Sequence, residues 1–253
     1  MNYLDYRLKN GIGYLYFDRP EKYNAFHFAF LEEFSAFLEK ENQNKDLKVL
    51  ILSGKGKAFS SGVDLKALLD LNTVEQAREF ALLLENTSEK IYRFSKPVIA
   101  AINGLALGGG LGYATASDIR LMAQEAQIGY PAVKLGAILP ATCTIYLKSI
   151  IGEGRTKDLL LTGRMLGASE ARDMGLVSYV APQKELMPLA EQIAMQIMEA
   201  PALALDFTKK TVGFSTALEI EAAKLYAADN FAFLSQTKEW QQRMHAFANR
   251  NKK

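Results

Sequence analysis

Cysteine is nearly missing from this 253-residue chain, where Cys143 is the only one. An intramolecular disulfide is therefore impossible and a cysteine-rich zinc site is excluded, which fits a reducing compartment. Histidine is almost as scarce. His27 and His245 fall on helical patterns near opposite ends, with no partner four residues away and no cysteine nearby, so no metal site is expected. Charge of one sign is also lacking: 30 basic residues stand against 28 acidic ones, and no footprint for DNA or RNA stands out. No apolar run approaches the roughly 18 residues needed to span a bilayer. The opening MNYLDYRLKNGIGYLYFDRP carries Asp5 and has no unbroken apolar stretch before a small-residue cleavage site, so it does not read as a secretory signal. The expectation is a soluble cytoplasmic protein with neither nucleic acid nor membrane among its partners.

What is present is globular in character. Hydrophobic residues make up 49% and charged residues 23%, close to ordinary averages. The length fits one large α/β domain with a smaller attached piece. Apolar runs at Gly13 to Phe17, Val49 to Leu52, Val98 to Ile102 and Ile119 to Met122 are bounded by Gly, Pro and Asn and read as buried strands. Helical patterns lie between them. Phe30, Leu31, Phe34 and Leu38 share one face, and Thr73 with Gln76 forms a capping box ahead of Phe80 to Ile91. Strand and helix alternate, which argues for crossover units. Beyond about residue 182 the strand signals stop. Leu186, Leu189, Ile193 and Ile197 mark an amphipathic helix, Thr216 with Glu219 caps another, and Trp240, Met244 and Phe247 form a last stripe. The chain thus divides into a core over 1–182 and a helical C-terminal module over 183–253, with no repeats or low-complexity tracts.

Two glycine-containing turns follow predicted strands directly. The first is Ala58-Phe59-Ser60-Ser61-Gly62-Val63-Asp64-Leu65-Lys66, and the second runs from Asn103 to Gly112 through Gly108-Gly109-Gly110. Glycine lets a backbone approach a ligand with no Cβ in the way. A helix beginning within Gly108 to Gly110 would offer free N–H groups and a positive dipole end to an oxyanion. A phosphate loop fits worse, because neither G-x-x-x-x-G-K-[ST] nor a clean G-x-G-x-x-G with a later acid is present. Ser60 and Ser61 have no evident His–Asp partners, so a serine hydrolase is disfavoured.

The segments RPEKYNAF, VLILSGKGKAFSSGVDLK, KPVIAAINGLALGGG, SDIRLMAQEAQIGYPAVKLG, LTGRMLGASEARDMGLV and AFANRNKK, in this order and spacing, resemble the crotonase, or enoyl-CoA hydratase/isomerase, superfamily over nearly the whole chain. The resemblance implies an α/β fold, a spiral of ββα repeats with a C-terminal helical module, in a homotrimer or hexamer. It implies an acyl-CoA thioester as substrate, with coenzyme A part of that substrate and no separate cofactor. The residue after the first turn's glycine and the middle glycine of the triplet supply oxyanion-hole amides in that family, which here are Val63 and Gly109. The coenzyme A groove falls near Lys22, Ala25, Asp64, Leu65 and Lys66, with Phe247 and Arg250 arriving from the C-terminal helix. Lys22, Lys66 and Arg250 are equally at home as solvated surface charges, and Asp64 suits a structural cap as well as a coenzyme A contact.

The chain departs from the family pattern at two points. Hydratases of the best-known type carry one glutamate three residues after the middle glycine and another after the proline of the segment reading Ile128-Gly129-Tyr130-Pro131. Gly112 and Ala132 stand there, and neither can move a proton. The candidate substitutes are Asp64 beside the Val63 amide, which better suits a cap or a coenzyme A contact; Glu85 and Glu89 on the preceding helix, at spacing that also suits a solvated face; and Tyr130, Thr142, Cys143 and Tyr146, which also suit core packing. Asp118, opening a strand, reads as structural. The resemblance implies a protein that stabilises a thioester enolate in hydration, double-bond migration or decarboxylation. The alternatives are a decarboxylase-type member of the superfamily and a non-catalytic acyl-CoA binder.

Overall fold

The computed structural model describes residues 1–213 together with Lys238 and Gln242. The chain opens on an antiparallel hairpin, β1 (Leu4–Lys9) and β2 (Ile12–Phe17), turned by Asn10 and Gly11 at positive φ. Helix α1 (Phe28–Asn42) buries Phe30, Leu31, Phe34 and Leu38 along one face, as their spacing predicts. Three similar passes follow. In each, a long strand is followed by a short one and then by helix: β3 (Val49–Gly54) and β4 (Ala58–Ser60) before α2 (Leu65–Leu69) and α3 (Val74–Tyr92); β5 (Val98–Ile102) and β6 (Leu105–Leu107) before α4 (Gly109–Ala116); β7 (Ile119–Ala123) and β8 (Gln127–Gly129) before α5 (Ala141–Thr162). Gly152, at φ 79° and ψ 163°, breaks α5 into two helical stretches. After it come β9 (Met165–Gly167), α6 (Ala168–Asp173), β10 (Tyr179–Ala181), α7 (Leu186–Met198) and α8 (Ala202–Val212).

The passes build two sheets. Long strands enter a six-stranded sheet in the order β1-β2-β3-β5-β7-β10, parallel from β2 onward; short ones enter a four-stranded sheet in the order β4-β6-β8-β9. This is the spiral of ββα units that the resemblance implies. Strands β3 and β5 are buried at every position, which is why they read as unbroken apolar runs rather than alternating ones. The core is rich in aromatic rings: Phe17 meets Phe26, Phe30, Phe34 and Phe59 edge-on at centroid distances of 5.1 to 5.7 Å.

Helix α7 packs on β3, β5, β7 and β10, so the chain just beyond residue 182 covers the six-stranded sheet. The expected Thr73–Gln76 box forms by half. Thr73 accepts from Gln76 N at 3.2 Å, while the Gln76 side chain accepts from Asn72 N instead of returning to Thr73. The caps and stripes expected at Thr216, Glu219, Trp240 and Met244 lie outside the described residues, within which no helix is long and apolar enough to cross a membrane.

Candidate active site

The first turn is held by the segment that precedes α1. Phe26 N donates to Gly62 O at 2.7 Å and Asp64 N donates to Phe26 O at 2.8 Å, a single parallel bridge between Phe26 and Val63. Successive amides of an extended chain point to opposite sides, so the Val63 N–H faces away from Phe26. No acceptor takes it among the described residues. Asn24, in the left-handed region at φ 56° and fully buried, staples the neighbourhood: its side chain accepts from Arg19 N and donates to Lys55 O and Ala58 O.

The second turn lies against the first, backbone to backbone. Gly108, at φ 55°, is the N-cap of α4, and Gly109 is that helix's first residue. A Cβ on Gly62 would sit 2.6 Å from Leu107 O and 2.9 Å from Gly109 N; one on Gly110 would collide with Ser60 O. Only glycine permits this approach. Like the other amides of a first helical turn, that of Gly109 has no intrahelical partner, and no described residue accepts from it. Two unengaged N–H groups therefore come from adjoining turns, one at the positive end of an entirely buried helix. Chemically, such a pair suits a polarised carbonyl oxygen or an oxyanion.

One turn further along α4, the space beside Gly112 is occupied by Cys143. A Cβ at Gly112 would run into Cys143 Sγ and lie 3.0 Å from its Cβ. The thiol is fully buried, 3.2 Å from Ser88 Oγ, and burial pushes it up to about 11. Burial also pushes the Tyr130 phenol up to about 12. The Tyr113 hydroxyl lies beside Thr87, whose own hydroxyl donates to Leu83 O, and it has no hydrogen-bond partner among the described residues. Tyr146 stacks on Tyr92 at 4.1 Å, and burial raises its phenol well above the ordinary value. These groups are all neutral near pH 7. Ala132, half-buried, lies in a short 3-10 turn, Pro131–Leu135.

The carboxylates named as possible substitutes have structural partners. Glu85 accepts from Ala141 N at 2.6 Å, Thr142 N at 2.9 Å and the Thr142 hydroxyl at 2.7 Å, capping the start of α5. Glu89 pairs with Arg93. Asp118 accepts from Val98 N and pairs with Lys209 at 2.7 Å, a structural role. His27 accepts at Nδ1 from Phe30 N and caps α1; burial, then Arg19, hold its imidazole below the ordinary value.

Around the proposed coenzyme A groove, Asp64 caps α2 by accepting from Lys66 N at 3.0 Å and pairs with Arg19 at 2.7 Å. Burial raises its carboxyl, but the hydrogen bonds from Arg19 and the Lys66 amide outweigh that and leave it below the usual carboxylate range. Lys22, Leu65 and Lys66 are exposed; Ala25 is buried and its carbonyl accepts from Arg19. Phe247, Arg250 and His245 lie outside the described residues. Sequence reasoning missed Arg19 and Asn24. The signal for Asn24 was its residue type, one of the few that tolerates positive φ without being glycine.

The enoyl-CoA hydratase/isomerase family model matches residues 7–253. The chain belongs to the enoyl-CoA hydratase/isomerase family. Relatives within it include a crotonyl-CoA hydratase of Syntrophomonas wolfei, 34% identical over 239 residues that cover 94% of this chain and 92% of the relative. A short-chain-enoyl-CoA hydratase of Clostridium acetobutylicum is 31% identical over 236 residues, covering 93% and 90%. Among solved structures, the enoyl-CoA hydratase from Bacillus anthracis superposes with a TM-score of 0.93 at 31% identity, covering 98% of this chain and 96% of that one.

Proposed function

We propose that the protein is an acyl-CoA enzyme that holds a thioester carbonyl oxygen between the amides of Val63 and Gly109 and stabilises the enolate formed there. The observation that carries this reading is the pair of unengaged N–H groups on two turns in backbone contact, one at the start of a buried helix. In comparable sites each donor lowers the barrier by roughly 2.7 to 4 kcal/mol. Coenzyme A enters as part of the substrate, along Lys22, Ala25 and the residues from Asp64 to Lys66. Assembly is as a homotrimer or hexamer, and the compartment is the cytoplasm.

A second reading, decarboxylation, is favoured by the state of the flanking groups. With Gly112 and Ala132 at the glutamate positions, the Cys143 thiol and the Tyr130 phenol are titratable neighbours, and burial keeps both protonated. Neither is a base near neutral pH. Loss of CO2 needs none: the bond from Cα to the carboxylate breaks, its electron pair enters the enolate, and water later returns a proton to Cα.

Crotonyl-CoA, a 3-enoyl-CoA and methylmalonyl-CoA, offered separately, test both readings. All three should bind saturably, with CO2 and propionyl-CoA released from methylmalonyl-CoA. Crotonyl-CoA should hydrate slowly, lacking the about 10²- to 10⁴-fold that a positioned acid or base supplies. Binding without any turnover would identify a non-catalytic acyl-CoA binder, and rapid hydration would refute the argument from neutral groups. Failure to bind any thioester would overturn the acyl-CoA reading altogether.

A further inference from the structure

Glycine at 62 is required by space, because any side chain there would strike Leu107 O and the Gly109 amide. That requirement creates a second problem. Glycine at φ 89° is held by no Cβ of its own, so rotation about its N–Cα bond could swing the following peptide and carry the Val63 N–H out of line.

The hydroxyl of Ser60 answers it. Ser60 is fully buried, accepts from Gly62 N at 3.0 Å and donates to Asn24 O at 2.8 Å. One oxygen thus ties the Gly62 amide to the segment containing Asn24, which is itself fixed by three side-chain hydrogen bonds. On the other side of the Gly62 Cα, the Gly62–Val63 peptide that carries the Val63 N–H is held through its carbonyl, Gly62 O accepting from Phe26 N. The Ser60 main chain also faces the second turn: a Cβ at Gly110 would strike Ser60 O and lie 3.1 Å from Ser60 C. Ser60 therefore touches the three segments that orient the two amides.

We infer that Ser60 is a positioning residue: its hydroxyl fixes the Gly62 rotation and so aims the Val63 amide at the same oxygen as the Gly109 amide. This rests on the acyl-CoA reading above, in which those amides polarise the thioester carbonyl. Loss of the hydroxyl should weaken polarisation of a bound thioester while leaving its coenzyme A contacts intact.

The test uses 2,4-hexadienoyl-CoA, whose absorbance moves to longer wavelength as its carbonyl is polarised, measured at saturation with the full chain. The wild type should bind with a clear red shift. Ser60→Ala should bind within about threefold of the wild-type Kd but show about half the shift or less, since only alignment of a donor is lost. Ser60→Thr, which keeps the hydroxyl, should recover most of it. A full-sized shift in Ser60→Ala overturns the positioning role. If that variant does not fold, Ser60→Cys replaces the hydroxyl by a weak donor and acceptor of similar shape; an intermediate shift supports the role and a full one overturns it. Absence of binding or of any shift in the wild type would instead refute the acyl-CoA reading.

Discussion

A methyl group added at Gly112 would enter the volume already held by Cys143, so the two residues form one packing unit rather than two independent choices. Gly112→Ala should destabilise the fold by about 1–3 kcal/mol, the usual cost of overpacking. Cys143→Gly should recover part of that in the double variant, and urea unfolding of both singles and the double reads the coupling. None of this was legible from the sequence, where Gly112 and Cys143 stand 31 positions apart and the second appeared only as a possible substitute acid or as core. The pH dependence of His27 belongs at the same scale. Its folded-state value is lowered, so the cap it provides to Phe30 N is fully present above the ordinary value near about pH 6.5 and is lost as pH falls through the lowered one. His27→Asn, which keeps an N-cap acceptor at any pH, should show a smaller fall in Tm between about pH 7.5 and pH 5 than the wild type. An equal fall in both would refute the assignment.

Elements differ in how plainly the sequence announces them. Strands β3, β5 and β7 are buried and apolar throughout or nearly so, and their limits were readable within two residues. Strands β4, β6, β8, β9 and β10 have three residues each; no periodicity can develop over that length, and neighbouring strands define them. Helix α4 is buried at every position, so no polar face marks it, and only the glycine triplet suggested where a helix could begin. Glu85 shows the limit of reading one helix alone. On α3 its spacing suits a solvated face, yet its carboxylate caps α5, whose own N-cap residue, Pro140, has no side-chain donor or acceptor. Glu85→Ala should cost about 1–2 kcal/mol, and Glu85→Gln less, because one amide oxygen can still accept. Urea midpoints that do not distinguish wild type, Glu85→Gln and Glu85→Ala would contradict this role.

Across the whole molecule, the two sheets place their turns so that groups far apart in sequence meet, while the Lys209–Asp118 ion pair ties α8 to the core. Lys209 reaches Asp118 at 2.7 Å and also donates to Lys96 O. Burial lowers the lysine and raises the aspartate, and their mutual attraction opposes both shifts. Lys209→Ala should cost about 1–3 kcal/mol, the pair being only partly buried, and should speed proteolytic cleavage near residue 213; unchanged cleavage would contradict the clamp. The family and its spiral were legible because the motifs extend along the chain, whereas the contact between the two turns needed the three-dimensional arrangement. The hold of the Val63 and Gly109 amides on a thioester carbonyl oxygen is tested most directly by the carbonyl ¹³C resonance of [1-¹³C]butyryl-CoA bound to the wild type, Gly109→Ala and Gly109→Pro. Both substitutions add a carbon beside Phe26, 3.2 Å from its ring, but only proline deletes the N–H. A downfield shift in the wild type and Gly109→Ala that is largely lost in folded Gly109→Pro is the result predicted here; the same shift in all three would contradict it.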